Sequence, residues 1–303
     1  MELSIIITNF NTSSLLLRCL DSLHKALSYA NIVDKSEIIV VDNASKDGSV
    51  SNVEQFYPKV KLIRNDKNYG FAKGSNQGIK VAEGKYILLL NSDTRINNVS
   101  LRPLTNEIRR DNRLGVVGGK LLNEDGSIQP SCGYFPDLWK VFIWMFFIDD
   151  IPFIQSIIHS YHVEDKSFYQ KKRYIDWVTG ACFMTTKEVI QDVGLIDEKI
   201  FMYGEEMEWC YRIKKKGYKI LYTPESEIYH VKGASSSIQQ AAGIIEELHS
   251  LIYFYQTHKS LLQTFILKVL LFLGVLLRIV VFGIIGRHSE RIDIYVKAIK
   301  MVR

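Results

Sequence analysis

Asn91 and Asp93 stand two residues apart in LLLNSDT, 88–94, directly after an apolar run. Residues i and i+2 of an extended segment point the same way. One carboxylate plus one amide oxygen suits a hard divalent cation that also holds a diphosphate. A turn or helix-capping aspartate would use the same triplet. Asp42 and Asn43 open VDNASKDGS, 41–49, again after an apolar run. They offer an acceptor and an amide to a base or ribose. An Asx turn with a helix cap at Asp47 or Ser49 accounts for the same residues. Glu205 and Glu206 begin EEMEWCYRIKKKGYKILY, 205–222. Acids in a first helical turn complement the helix dipole. Beside a cation site, one of them could serve as a general base. Glu208 and Arg212 have the four-residue spacing of a pair on a helix surface, and Gly217 is placed to end that helix. His230, in IYHVKGASS, is a possible ligand, or a structural histidine after a strand. In NYGFAKGSNQGI, 68–79, Gly70, Gly74 and Gly78 share one helix face. That face lets a backbone approach a sheet or a ligand closely. Asn68 and Asn76 are further ligand candidates there.

These residues need elements to hold them. Leu3–Thr8, Glu37–Val41, Val60–Arg64 and Tyr86–Leu90 are apolar, β-branched runs suited to strands buried on both faces. Between them, Leu16, Leu20, Leu23 and Leu27 predict one helix, with Thr12 or Ser13 as its cap. Shorter helices are predicted over 49–57 and 72–82. The alternation predicts an α/β fold with a parallel sheet. In such sheets ligands sit beyond the carboxyl ends of the strands, where Asp42 and Asp93 fall. Residues 95–131 read as polar and weakly patterned. Residues 134–161 hold nine aromatics. Patterned structure returns from Trp177 to Tyr222.

The chain has 303 residues, 47% hydrophobic and 23% charged, which excludes wholesale disorder, collagen and coiled coil. Cys19, Cys132, Cys182 and Cys210 are scattered, so a disulfide framework or zinc ribbon is not expected, and a reducing compartment fits. Residues 259–303 carry eight Lys or Arg against Glu290 and Asp293, an excess larger than the whole chain's +5. The basic character belongs to the tail, and no nucleic-acid footprint covers the body. The N-terminal MELSIIITNF has no basic region before an apolar one, so it reads as a strand of a cytosolic body and not as a secretory signal.

Taken in order, SIIITNFN, EIIVVDNASKDGS, NYGFAKGSNQGI, YILLLNSDT, WVTGACFMTTKEVIQDVGLIDEKIFMYGEEMEWCYR and YHVKGASS resemble glycosyltransferase family 2. These are inverting nucleotide-sugar transferases of GT-A fold, and the likeness is to the rhamnosyltransferase-like branch that extends lipid-linked envelope polysaccharides. It covers roughly residues 3–236. The resemblance implies that Thr8, Asn9 and Asp42 meet the nucleotide, and Asn43, from the reading of the residues above, is counted with them. It places Asn91, Ser92 and Asp93 on the family's DxD motif, with Asp93 on a Mg²⁺ or Mn²⁺ at the donor diphosphate and His230 close by. Asn76 joins the donor-binding set. Glu205 and Glu206 fall on the acidic pair, whose second member is the catalytic base. Trp177, Thr179 and Gly180 fall in the acceptor-side motif. Asn91 stands where the family has its first Asp, Glu206 where Asp is usual, and Glu208 where another Asp is usual. Glu205 therefore stays an alternative base. The resemblance divides the chain into a nucleotide-sugar-binding half, 1–95, and an acceptor-binding, catalytic half, 96–236. A helical connector, 237–260, and a hydrophobic basic tail, 261–303, follow.

Phe265–Ile285 would span about 31 Å as a helix, enough to cross a bilayer. A crossing would carry Arg287, Arg291, Lys297, Lys300 and Arg303 over with it, against the positive-inside tendency. A helix lying in the cytoplasmic interface keeps those charges on one side, against anionic lipid. The expected partners are thus a nucleotide-sugar donor, a lipid-linked glycan acceptor and the cytoplasmic membrane surface. Dissenting readings are a UDP-sugar transferase for another envelope glycan and a catalytically silent nucleotide-sugar-binding scaffold. A dinucleotide oxidoreductase lacks its GxGxxG here.

Overall fold

The computed structural model describes residues 1–151, 158–231, 237–284 and 289–302. In chain order its strands are β1 (Leu3–Asn9), β2 (Ser36–Asp42), β3 (Lys61–Arg64), β4 (Tyr86–Asn91), β5 (Thr94–Ile96), β6 (Leu114–Leu122), β7 (Ile128–Gln129), β8 (Cys132–Gly133), β9 (Arg173–Ile175), β10 (Trp177–Val178), β11 (Cys182–Thr186) and β12 (Lys219–His230). Its helices are α1 (Ser13–Ala30), α2 (Ser49–Phe56), α3 (Gly70–Val81), α4 (Leu101–Arg110), α5 (Leu138–Met145), α6 (Lys187–Val193), α7 (Glu205–Lys215), α8 (Ser237–His258), α9 (Leu261–Ile284) and α10 (Ser289–Val302). Two units result. The first comprises Met1–Cys132, Lys166–Phe201 and Glu205–Ala234, and the second Gly133–Asp165, Met202–Gly204 and Ser235–Arg303. The aromatic segment thus groups with the C-terminal helices. Of the segments singled out above, residues 232–236, Phe153, Ile285, Arg287 and Arg303 lie outside the described residues, as do the side chains of Glu290, Arg291, Asp293 and Lys300.

In the first unit, β1 is apolar on both faces, with Leu3, Ile5, Ile6 and Ile7 all buried. Strands β3, β2, β1 and β4 lie side by side and parallel, as their sequences predict. The register sets Asn9 opposite Asp42 and Thr8 opposite Asn91. Three strands therefore end in one row, and their last polar side chains share one edge. Beyond β4 the sheet is mixed, not purely parallel. Strand β11 is antiparallel to both β4 and β6, β12 is parallel to β6, and β5 closes the edge antiparallel to β12. The sheet runs across position 95 without a break.

The stretch 95–131, expected to be weakly patterned, holds α4 and the nine-residue strand β6. Its sequence, LGVVGGKLL, is diluted by glycines that depress strand propensity. The glycines answer to close neighbours: a Cβ on Gly118 would sit 2.7 Å from Val178 Cβ.

Helix α1 buries Leu16, Leu20, Leu23 and Leu27 against the sheet, as its spacing predicts. Its cap differs from expectation. Thr12 occupies the capping position without a side-chain cap bond, because its hydroxyl is drawn into the site described below. The Ser13 N–H instead donates to Asp47 Oδ2 at 2.6 Å. Asp47 Oδ1 accepts from the Ser49 N–H at 3.1 Å. One carboxylate so serves the first turns of both α1 and α2.

In α3 the shared glycine face packs on β1. A Cβ at Gly74 would lie 2.7 Å from Thr8 Cγ2, and one at Gly78 2.4 Å from Ile6 Cγ2. Alanine gains roughly 1 kcal/mol over glycine in an exposed helix. Overpacking a core costs about 1–3 kcal/mol. We expect Gly78→Ala to lower the urea midpoint despite that gain. A rise in the midpoint would show that β1 and α3 can separate freely.

The four cysteines are free and buried. Burial pushes the thiols of Cys19, Cys132 and Cys182 up to about 12, so they stay protonated and unreactive at neutral pH.

In the second unit, α9 contains Leu261–Phe282, 22 residues long and apolar enough to cross a membrane by length and composition. One face buries Leu267, Leu271 and Val275, while Leu262, Phe265, Val269, Leu273 and Val280 are exposed. Arg278 lies on the buried face, 6% exposed. Its guanidinium donates to the Met145 carbonyl and, at 2.7 Å, to the Trp144 carbonyl. These are end carbonyls of α5, which a helix leaves without partners of its own. The cation also stands 4.5 Å from the centre of the Phe147 ring.

Candidate active site

A chain of hydrogen bonds links the ends of β1, β2 and β4. Asp42 is 2% exposed. Its Oδ1 accepts from Asn9 Nδ2 at 2.8 Å and its Oδ2 from the Ser45 N–H at 2.8 Å. Asn9 Oδ1 accepts from the Thr12 hydroxyl at 2.6 Å. Thr12 has then spent its proton, so the 2.8 Å contact with Ser92 runs from the Ser92 hydroxyl to Thr12 Oγ1. The row Ser92, Thr12, Asn9, Asp42 thus donates in one direction, towards the carboxylate, while the Asn9 amide also donates to Ser45 Oγ at 3.1 Å. The Ser45 N–H bond, three residues on, also closes the turn 42–45, a structural duty for Asp42. Asn43 donates to the Gly70 carbonyl at 3.1 Å and accepts from Asn65 at 2.8 Å. Thr8 stands 3.3 Å from Ser75 on α3. Thr12 was expected only as a helix cap, and Ser45, although it lies within VDNASKDGS, was not singled out in the sequence.

Asn76 is different. Its Nδ2 donates to the Ile196 carbonyl at 2.8 Å and to Glu198 at 3.0 Å, and its Oδ1 accepts from the Ile196 N–H at 3.1 Å. The amide expected to meet a donor instead pins the segment 196–198 to α3. Three protein bonds and 1% exposure leave it little to offer a ligand.

The second cluster surrounds the turn between β4 and β5. Strand β12 pairs with β5 so that His230 faces Thr94, and the Val231 N–H donates to the Asp93 carbonyl at 3.0 Å. Backbone pairing thereby delivers the imidazole to the carboxylate. His230 Nε2 lies 3.2 Å from Asp93 Oδ1 and 3.4 Å from Asn91 Nδ2. Residues 137 positions apart in the sequence thus meet at one point. Gln129, on β7, approaches His230 Nδ1 at 2.6 Å. Nothing in the sequence marks Gln129, which sits in the stretch read as unpatterned. A carboxylate oxygen suits either Mg²⁺ or Mn²⁺, and an imidazole nitrogen beside it favours Mn²⁺, the transition metal of the two. No group of three or more His, Cys, Asp or Glu able to hold a metal exists among the described residues. Asp93 and His230 would therefore hold a cation whose remaining positions go to water or ligand oxygens.

The acidic pair is positioned by α7. Trp209 stacks on Phe183 of β11 with ring centres 5.1 Å apart and donates to the Gly194 carbonyl at 2.9 Å. The pair Glu208–Arg212, expected on the helix surface, is largely internal: Glu208 is 1% exposed. Arg212 Nε donates to it at 2.8 Å, and the other guanidinium nitrogens reach the Val193 and Leu195 carbonyls. Arg212 Nε reaches both Glu208 carboxylate oxygens, at 2.8 and 3.0 Å, and so offsets the desolvation of the pair. Gly217, at φ 93°, follows the helix end as predicted.

Glu205 is 4% exposed, and its Oε2 has no hydrogen-bond partner. Burial, and then the charge of Glu206, push its carboxyl well above the usual carboxylate range. Glu206 is half-buried and keeps some solvent access. The folded chain thus holds a proton on Glu205 that the unfolded chain releases above its ordinary value near 4.3. Stability should fall as pH rises from there towards the raised folded value. We expect Glu205→Gln, which is neutral at every pH, to weaken this decline. Urea unfolding at pH 5 and pH 8 checks it, and equal declines in both proteins would contradict it.

Trp177 on β10 is 8% exposed. The Thr179 N–H donates to the Ser131 carbonyl at 2.9 Å. A Cβ at Gly180 would lie 2.9 Å from the Phe71 ring, so this turn fits closely over α3.

A parallel half-sheet with a mixed extension is the GT-A arrangement, and one apolar helix lies near the C-terminus. A crystal structure of GalNAc-T7 with UDP, GalNAc and Mn²⁺ superposes with a TM-score of 0.57 at 20% identity, over 84% of this chain and 50% of that one. The family model of glycosyl transferase family 2 matches residues 4–172, and the chain belongs to that family. Among its relatives, N-acetylglucosaminyl-diphospho-decaprenol L-rhamnosyltransferase of Mycobacterium tuberculosis is 25% identical over 216 residues, 68% of this chain and 69% of that protein. The low-salt glycan biosynthesis hexosyltransferase Agl10 of Haloferax volcanii is 26% identical over 230 residues, 72% of this chain and 64% of that protein.

Proposed function

We propose that this chain is an inverting, metal-dependent transferase that moves L-rhamnose from dTDP-rhamnose to a hydroxyl of a lipid-linked envelope-polysaccharide precursor. The observation that carries the reading is the meeting of Asp93 and His230 beside Asn91, where β4 ends in register with β1 and β2. The sugar and the lipid-linked acceptor rest on the name of the mycobacterial relative.

In this reading Thr8, Asn9, Asp42 and Asn43 face the nucleotide, and Asn91 and Ser92 flank the diphosphate. Asp93 and His230 would hold Mg²⁺ or Mn²⁺, which when bound neutralises charge on the leaving diphosphate. Trp177, Thr179 and Gly180 line the acceptor side. Glu206 accepts the proton of the acceptor hydroxyl. That oxygen bonds to the anomeric carbon as the carbon–oxygen bond to the diphosphate breaks on the opposite face. The bonding pair leaves with the nucleoside diphosphate, and the anomeric centre inverts. Glu205, holding a proton of its own, cannot take another and is set aside as base. Neutral Glu205 also removes a second negative charge beside Glu206.

We place the protein at the cytoplasmic face of the membrane. The exposed apolar stripe of α9 would lie in the interface, with Arg278 tied to α5 and the basic tail on anionic lipid.

Donor choice is tested by titrating the purified chain, with Mn²⁺, against dTDP-rhamnose, UDP-glucose, UDP-N-acetylglucosamine and GDP-mannose. Tightest binding of dTDP-rhamnose is expected. Preference for a UDP-sugar would replace the donor with that of the second reading. Failure of every nucleotide sugar to bind would overturn the transferase.

A further inference from the structure

Gln129 is 4% exposed and sits on β7, opposite Leu121 of β6. Its amide has a determined orientation. Nε2 donates to Asn123 Oδ1 at 2.8 Å and to the His230 carbonyl at 3.3 Å. Asn123 Nδ2 in turn donates to Ser127 Oγ at 2.9 Å, and the acceptor-only His230 carbonyl is what fixes the Gln129 amide. A backbone carbonyl can only accept. Both Gln129 amide hydrogens are therefore assigned, and Oε1 is left facing His230 Nδ1 at 2.6 Å. A carbonyl oxygen at that distance requires a hydrogen on Nδ1.

We propose that Gln129 is a positioning residue that fixes His230 as its Nδ1–H tautomer, so that the Nε2 lone pair faces Asp93. The lone pair then faces Asp93 Oδ1, which lies 3.2 Å from Nε2, and the two atoms would hold a divalent cation between them. A lone pair and a carboxylate oxygen repel across that gap, and a cation between them removes the repulsion. Histidines that ligate metals generally donate their other ring N–H to an oxygen in this way, and loss of that partner costs about 10–100-fold in metal affinity. The inference rests on the reading of Asp93 and His230 as the cation site, but the tautomer can be measured without a cation.

The test uses the full chain in detergent, ¹⁵N-labelled at its seven histidines. Long-range ¹H–¹⁵N spectra read the protonation of each ring nitrogen, with His230 assigned by its loss in His230→Gln. The wild type should carry its hydrogen on Nδ1 when the ring is neutral. Gln129→Leu should shift hydrogen towards Nε2 and weaken Mn²⁺ binding about 10–100-fold in the presence of dTDP. Gln129→Glu should restore the Nδ1–H tautomer, since a carboxylate also accepts from Nδ1–H, at a cost in stability because it cannot donate to Asn123 and to the His230 carbonyl. That rescue separates positioning from a folding defect. An Nε2–H tautomer in the wild type overturns the proposal, and so does unchanged Mn²⁺ affinity in a folded Gln129→Leu protein. A wild type with the Nδ1–H tautomer that binds no Mn²⁺ with dTDP would instead overturn the cation site on which the proposal rests.

Discussion

Glu206→Gln should bind donor as the wild type does and lose transfer by about 10²–10⁴-fold, the usual worth of a general base. The substitution keeps the shape of the side chain and removes its capacity to take a proton. Donor binding is assigned to other elements, the ends of β1, β2 and β4, so it should survive. The contrast with Glu205 sharpens the expectation. Glu205 is buried with its carboxyl pushed far up, whereas Glu206 retains contact with solvent. Glu205→Gln should therefore leave far more transfer than Glu206→Gln. Rates measured at saturating donor, with donor affinity measured separately, decide it. Near-normal transfer in Glu206→Gln would remove Glu206 as the base, and collapse in Glu205→Gln alone would exchange the two roles.

Asp93→Asn should abolish the metal dependence of nucleotide binding. The change is nearly isosteric and leaves the hydrogen-bonded turn between β4 and β5 in place, since the Asp93 carbonyl still accepts from Val231. What it removes is one unit of charge beside a dication. At an effective dielectric constant near 20, such a pair about 4 Å apart is worth roughly 4 kcal/mol per unit charge. Even a fraction of that is about 10²-fold in affinity. Titration of dTDP with and without Mn²⁺ should show the enhancement in the wild type and none in Asp93→Asn. An enhancement that persists would place the cation elsewhere.

Strands β1, β2 and β4 were legible because they are buried on both faces and read as unbroken apolar runs. Their ends then followed, and with them Asp42 and Asp93. Strand β3, expected to be buried likewise, is an edge strand with no buried residue. Helix α3 was legible through its glycine spacing. Strand β6 was not, because Gly115, Gly118 and Gly119 are there for close neighbours that only the tertiary structure reveals. Burial of the Glu208–Arg212 pair was hidden for a related reason. Helical spacing brings the two together but says nothing of the carbonyls of Val193 and Leu195 that let the pair be internal. Asn76 and Thr12 exchanged expected duties: the amide holds a distant segment, and the presumed cap joins the polar row. Gln129 had no local signal at all, since its partners His230 and Asn123 come from separate elements.

One measurement bears on the whole account: nucleoside-diphosphate release by purified protein with dTDP-rhamnose, Mn²⁺ and a membrane extract carrying lipid-linked acceptors. The account predicts release that requires the extract, stops with EDTA and is lost in Glu206→Gln. Release that proceeds undiminished in EDTA, or in Glu206→Gln, would contradict it.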